Sequence, residues 1–150
     1  MSHTKKEGLS DKLVLSSYIK LVRAADSVTA RSHRHLAGVN LSFSQFAVLE
    51  ALFHLGSLCQ KDLAAKILKS PRNITMVVDN LEKRNLVRRE RQVGDRRFFN
   101  VHLSEEGRRL FEDIFPRHIE FLRREMEILD QGELEELGRL CRTLGKKVRD

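Results

Sequence analysis

Two cysteines, Cys59 and Cys141, stand in 150 residues. That is too few for a disulfide scaffold, so the class of small secreted domains held by bridges is excluded. No apolar run reaches the roughly 18 residues a membrane-crossing helix needs, and no secretory signal is visible. The expectation is a soluble, cytoplasmic protein with no membrane partner. Proline (two) and glycine (eight) are scarce, while Leu, Arg, Glu and Lys abound, a mixture that favours helices. Marks of catalysis are also missing. There is no glycine-rich phosphate loop, no nucleophile elbow and no His-x-x-x-His pair, and the carboxylates are scattered over helix surfaces. A non-enzyme is expected, with no metal and no cofactor. Internal repeats and low-complexity tracts are absent, and residues 1–8 read as a loose tail.

What is present is a core and a concentrated charge. Apolar residues make up 41% of the chain, enough for a packed interior. A chain this long fits one domain and buries about 70% of its unfolded surface. The net charge is +7. Between residues 60 and 100 there are eleven Lys/Arg against five Asp/Glu, whereas the rest holds seventeen against sixteen. The excess positive charge therefore sits in the middle of the chain. Such a patch suits a polyanion, with nucleic acid ahead of an anionic membrane surface.

Periodicity orders the elements. Leu13, Val14, Tyr18, Leu21, Val22, Ala25 and Val28 recur at helical spacing, predicting a long helix that Gly38 ends. Ser42 and Ser44 offer caps for a second helix carrying Phe46, Leu49, Leu52 and Phe53, stopped by Gly56. A third helix covers about 60–68. Ser70 then caps a fourth, with Pro71 at its first position and Ile74, Val77, Val78 and Leu81 facing inward. The period changes to two in residues 86–91 and 98–103, so a hairpin is expected with 93–97 as its turn. Ser104 caps a fifth helix running to about Leu129, with Pro116 expected to kink it. Asp130 and Glu133 resemble a capping box for a last helix, where Leu134, Leu137, Cys141, Leu144 and Val148 form a heptad-like seam.

The fold class is thus mainly α with one small hairpin: a winged helix-turn-helix flanked by long helices. The fourth helix presents Arg72, Asn73, Thr75 and Met76 early and away from the core, beside the capping Ser70. Arg suits guanine, Asn suits adenine, and Thr or Met can touch a thymine methyl in the major groove. The hairpin turn carries Asp95, Arg96 and Arg97. Two guanidinium groups on a thin ribbon suit the negative potential of a minor groove, and Asp95 can orient one of them. The bland alternative is a solvated turn with a surface ion pair, which would stabilise by only about 0–1 kcal/mol.

The stretch Ser70-Pro71-Arg72-Asn73-Ile74-Thr75, the run Asp79-Asn80-Leu81-Glu82-Lys83-Arg84-Asn85-Leu86-Val87, and Asp95-Arg96-Arg97 followed by Val101-His102-Leu103-Ser104-Glu105-Glu106-Gly107 together resemble the MarR family of bacterial regulators. Asn85 departs from the family's commonest pattern, which has Gly there; Asn is the next best residue for a left-handed cap. The resemblance implies a single domain over 1–150, with a winged-helix region at about 42–103 and dimerisation helices at about 11–38 and 104–148. It also implies a homodimer on a pseudo-palindromic operator, usually repressing. Release from double-stranded DNA would follow binding of a small phenolic ligand, or oxidation of a cysteine. Tyr18, Phe46, His54 and His118 are the candidates for lining a ligand pocket. Neither cysteine lies in the first helix, where the peroxide-sensing members carry theirs. Cys59, between Leu58 and a helix start, and Cys141, on the apolar seam of the last helix, are expected to pack as small hydrophobes. Two alternatives stay open: an architectural DNA-binding protein without effector, and a redox sensor acting through Cys59.

Overall fold

The computed structural model describes residues 8–67 and 71–146, with the backbone alone for Pro71 and Arg72. Its elements run α1 (Asp11–Ala37), α2 (Phe43–Leu55), β1 (Leu58–Cys59), α3 (Gln60–Lys66), α4 (Pro71–Lys83), β2 (Val87–Gln92), β3 (Asp95–Leu103), α5 (Glu105–Met126) and α6 (Gln131–Gly145). The predicted tail up to Glu7, the helix end at Leu68, the cap at Ser70 and the seam residue Val148 lie outside the described residues.

Local chemistry explains most boundaries. The Ser10 hydroxyl accepts the Leu13 N–H at 3.2 Å and starts α1. At α2 the Ser42 hydroxyl accepts the Gln45 N–H, and the Gln45 side chain accepts the Ser42 N–H in return. Asp130 and Glu133 make the same reciprocal pair at α6. Gly38 follows α1 but keeps a right-handed backbone; the left-handed residue is Asn40, at φ 55°. Past α4, Asn85 holds φ 59° and donates its N–H to Glu82 O, while Leu86 N–H reaches Leu81 O. The left-handed cap expected from Asn85 is present.

The sheet differs from expectation in two ways. It has a third strand: β1 pairs antiparallel with β3, Leu58 opposite Val101 and Cys59 opposite Asn100, giving the order β1-β3-β2. Two residues are too few to show an alternation, so the sequence left them unread. The hairpin turn is also tighter than 93–97. Gln92 pairs with Asp95, leaving Val93 and Gly94 as the turn, with Gly94 at φ 93°. Asp95, Arg96 and Arg97 belong to β3 itself. The fifth helix likewise ends at Met126 rather than Leu129.

One core joins these parts. Leu36, Phe46, Leu49, Leu52, Leu63, Ile74, Val78, Leu81, Val101, Phe111 and Ile114 are all essentially closed to solvent. The expected inner face of α4 is confirmed by Ile74, Val78 and Leu81, with Val77 partly buried beside them. Among the described residues, every buried position lies between residues 32 and 118. The first five turns of α1 contribute none, and α6 buries no residue at all. Tyr18 is 62% exposed and Leu144 64%. Cys141, expected in packed surroundings, is exposed, as are Leu137 and Leu144 of the same seam, while Leu134 is half-buried. Among the described residues, Leu137 and Leu144 stay open to solvent.

Candidate nucleic-acid interface

Helices α3 and α4 are tied together by a side-chain hydrogen bond. Gln60 Nε2 donates to the Thr75 hydroxyl at 2.9 Å, tying the start of α3 to the second turn of α4. Thr75 is half-buried by this arrangement, so its hydroxyl serves the helix-helix corner first. Asn73 and Met76 are exposed on the outer face of α4. Ser70 and the side chain of Arg72 are outside the described residues.

The ribbon carries the other predicted residues. Arg97 donates to Asp95 through Nε and Nη2, both at 3.0 Å, and through its backbone N–H at 3.1 Å. This fork lowers the Asp95 carboxyl below its ordinary range and raises the Arg97 guanidinium above its own. The side chain of Arg97 remains 83% exposed, oriented but available. Arg96 is exposed one position earlier. Successive strand residues alternate in direction, so Arg96 and Arg97 leave opposite faces of the ribbon near its tip. Two cations arranged this way can meet the phosphates on either side of a groove.

Sequence reasoning missed what aims the ribbon. Arg89 on β2 pairs with Asp79 and with Glu82 of α4, and its N–H donates to Glu82 Oε2 at 2.8 Å. Its guanidinium also lies over the Phe99 ring, 5.6 Å from the centroid, and Arg91 covers the same ring at 5.1 Å. Arg91 further donates to the Arg96 carbonyl at 2.7 Å. Charged bonds thus join the exposed helix to the ribbon. The available signal was Arg89 and Arg91 two apart on one strand, opposite Phe99 on the next.

Behind this surface lies a cavity of about 620 Å³, between α1, α2, α5 and the end of α3. Phe46, His54 and His118, three of the four candidates, line it. Tyr18 does not. It sits far up the exposed half of α1, and proximity in the sequence pattern gave no information on distance in the fold. Ser32, unremarked in the sequence, lines the cavity and is buried. Cys59 is half-buried at the start of α3 and makes no side-chain cap there.

A helix-turn-helix whose second helix is exposed, bonded to an arginine-bearing ribbon, defines a winged-helix DNA-binding protein. Comparison with known proteins agrees. The MarR family model matches residues 41–98. The transcriptional regulator MhqR of Bacillus subtilis is 34% identical over 134 residues, covering 89% of this chain and 90% of that protein. Among solved structures, Sco3205 from Streptomyces coelicolor, a MarR family regulator in complex with DNA, superposes with a TM-score of 0.84 at 24% identity, covering 95% of this chain and 91% of Sco3205. BpsR of Bordetella bronchiseptica, whose DNA binding is regulated by 6-hydroxynicotinic acid, has a TM-score of 0.81 at 24% identity, covering 87% and 99%. The chain belongs to the MarR family and is a DNA-binding transcriptional regulator. Among the described residues, no helix is long and apolar enough to cross a membrane.

Proposed function

We propose that the protein is a homodimeric repressor that occupies a pseudo-palindromic operator and leaves it when a small aromatic effector fills the cavity. The observation that carries the DNA reading is the oriented Arg97 at the ribbon tip, bonded through β2 to α4. Dimerisation is supported by the apolar side chains of α1 and α6 that stay exposed among the described residues. An interface that buries them would exceed about 2,000 Å² in total. An effector is supported by the position of the cavity, in contact with α1 and α5 on one side and the end of α3 on the other. BpsR, of the same fold, is regulated by 6-hydroxynicotinic acid, a small ring compound.

In this reading Arg72, Asn73 and Met76 of α4 face base edges, Thr75 and Ser70 set the start of the helix, and Arg96 and Arg97 with Asp95 meet the minor groove or its phosphates. Operator binding measured at several salt concentrations, on a selected site and on scrambled duplex, tests these roles. Arg72→Ala should cost roughly 1–3 kcal/mol per half-site at its matched base pair and relax sequence preference. Replacing both Arg96 and Arg97 by Ala should weaken binding to all sequences nearly alike. It should also flatten the salt dependence by roughly 0.9 in log–log slope for each phosphate that the variant no longer neutralises. A double wing variant that bound scrambled DNA normally and failed only on the operator would reverse the assignment.

A further inference from the structure

The segment after α2 and the two long strands bring a serine, a histidine and a glutamate together. Gly56, at φ 80°, turns the chain from α2 into β1 and is followed by the exposed Ser57. The Ser57 hydroxyl lies 2.6 Å from His102 Nδ1 on β3. On the other side of the ring, His102 Nε2 is 3.2 Å from Glu90 Oε2 on β2. That second contact is within ion-pair range but lacks the alignment of a hydrogen bond. Contacts of this kind are often poorly aligned until a substrate is bound. None of the three residues lines the cavity described above.

The register puts the two strand residues on one face of the sheet. Arg88 stands opposite His102, and Glu90 stands opposite Asn100. Side chains directly opposite each other share a face and alternate along a strand. Arg88, Glu90, Asn100 and His102 therefore lie on the face away from the buried Val101. The His102 side chain is 23% exposed and that of Glu90 61%, so reagents from solvent reach the cluster. The place of the imidazole proton follows from the partners. A carboxylate only accepts, so it favours the proton on Nε2 and leaves Nδ1 to accept the Ser57 O–H. An imidazole held this way removes a hydroxyl proton as the oxygen attacks an electrophile. Arg88, exposed, adds a cation to the same face, favourable to an oxyanion formed there.

We propose that Ser57, with His102 as general base and Glu90 as positioning residue, is an acyl-accepting site for small activated esters, those whose leaving group is a stable phenolate. Ser57 Oγ attacks the ester carbonyl carbon while its proton passes to His102 Nδ1. The tetrahedral intermediate then collapses. The bond from the carbonyl carbon to the phenolic oxygen breaks, and the proton on Nδ1 goes to the departing phenolate. The products are Ser57 acylated on Oγ and one free phenol. A search of the sequence for a nucleophile elbow misses this site. Ser57 and His102 are 45 positions apart and meet only where β1 pairs with β3.

The test incubates the full-length protein with p-nitrophenyl acetate at pH 7 and locates the acetyl groups by peptide mass spectrometry. Ser57 should be acetylated at least about a hundredfold faster in the folded protein than in the chain unfolded by urea, the lower end of what a positioned general base contributes. Ser57→Ala should remove the label from that peptide. His102→Phe, which keeps a ring and removes both nitrogens, should slow acetylation of Ser57 at least about a hundredfold. Glu90→Gln should slow it about tenfold. Glu90→Asp, which keeps the carboxylate, should recover part of that loss, a rescue that a merely structural contact would not produce. Operator binding and the thermal midpoint of each variant should match those of the parent protein, which reports that they fold. Equal rates for Ser57 in the folded and unfolded chain, a parental rate in His102→Phe, or acetyl groups found only on lysines or on His102, overturns the proposal. Should His102→Phe lower the midpoint, the exposed Glu90 decides: equal Ser57 rates in Glu90→Gln and the parent protein overturn the proposal as well.

Discussion

The stretch from Leu36 to His118 and the two ends of the chain follow opposite rules. In the middle, apolar periodicity ends in burial: Leu49, Val78 and Val101 are fully closed. At the ends the same periodicity ends in exposure: Leu13, Leu21, Leu137 and Leu144 are 55%, 42%, 37% and 64% exposed. The apolar stripes are alike in kind, so the difference lies in what packs on them. The winged unit is complete within one chain. The outer helices leave apolar side chains exposed, which suits the proposed dimer interface.

The largest effect should come from damaging the outer half alone. Leu137 and Leu144 lie seven residues apart on one face of α6. Burying a Leu side chain is worth about 1.5–3 kcal/mol, and a two-fold interface counts each change twice. Changing both to Glu should raise the dimer dissociation constant by at least about a hundredfold, read by sedimentation equilibrium. Amide exchange in the winged unit should still show protection at Leu49 and Val78. A parent protein that sediments as a stable monomer at micromolar concentration would break the comparison itself.

The second prediction attacks the winged unit where it meets α5. A Cβ on Gly107 would stand 2.1 Å from the Leu86 carbonyl oxygen, a backbone atom that cannot swing aside. Ser104 N–H donates to that same oxygen at 3.1 Å, and the Ser104 hydroxyl donates to Asn85 O at 2.6 Å. The first turn of α5 is therefore clasped to the corner between α4 and β2. Gly107→Ala should cost about 1–3 kcal/mol by overpacking and lower the thermal midpoint by several degrees. The outer faces of α1 and α6 are untouched by it. A variant that kept its midpoint would mean that the clasp is looser than the geometry shows.

This contrast also explains what could be read in the sequence. Helix caps are local, so Ser42, Ser104 and Asp130 were legible from two or three neighbours. The inward face of α4 was legible because its period is long enough to count. Two-residue β1 carries no period. The turn at Val93 and Gly94 was blurred because Asp95, Arg96 and Arg97 look like turn residues until the register with Gln92 is known. Arg89 was missed because its partners Asp79 and Glu82 come from another element. Ser32 was missed because a buried serine in an amphipathic helix has no pattern of its own. Cys141 was misplaced for a related reason: the seam it belongs to is real, but periodicity does not say whether the same chain covers it.

The smallest effect concerns Asn85, at the corner between α4 and β2. Its φ of 59° is left-handed, which costs an ordinary L-residue roughly 1–2 kcal/mol and Asn less. Glycine pays nothing for that conformation but loses about 0.5–1 kcal/mol more backbone entropy on folding than alanine does. For Asn85→Gly the two effects oppose each other and are similar in size. The change in stability should be within about 0.5 kcal/mol of zero, although glycine is the usual residue here in the family that the sequence resembles. Asn85→Ala keeps the strain and gains only a little rigidity in the unfolded chain, so it should cost about 1 kcal/mol. Asn85→Val adds a β-branched side chain to the same backbone and should cost more. Urea unfolding of the three variants at one protein concentration ranks them, because dimerisation makes apparent stability depend on concentration. The order Gly and Asn together, then Ala, then Val ties the cost to the backbone angle. If Ala equalled Asn, the cap would owe its stability to the Leu86 N–H bond and the Ser104 clasp instead. In that case this joint would hold by its contacts to α5 rather than by its own conformation.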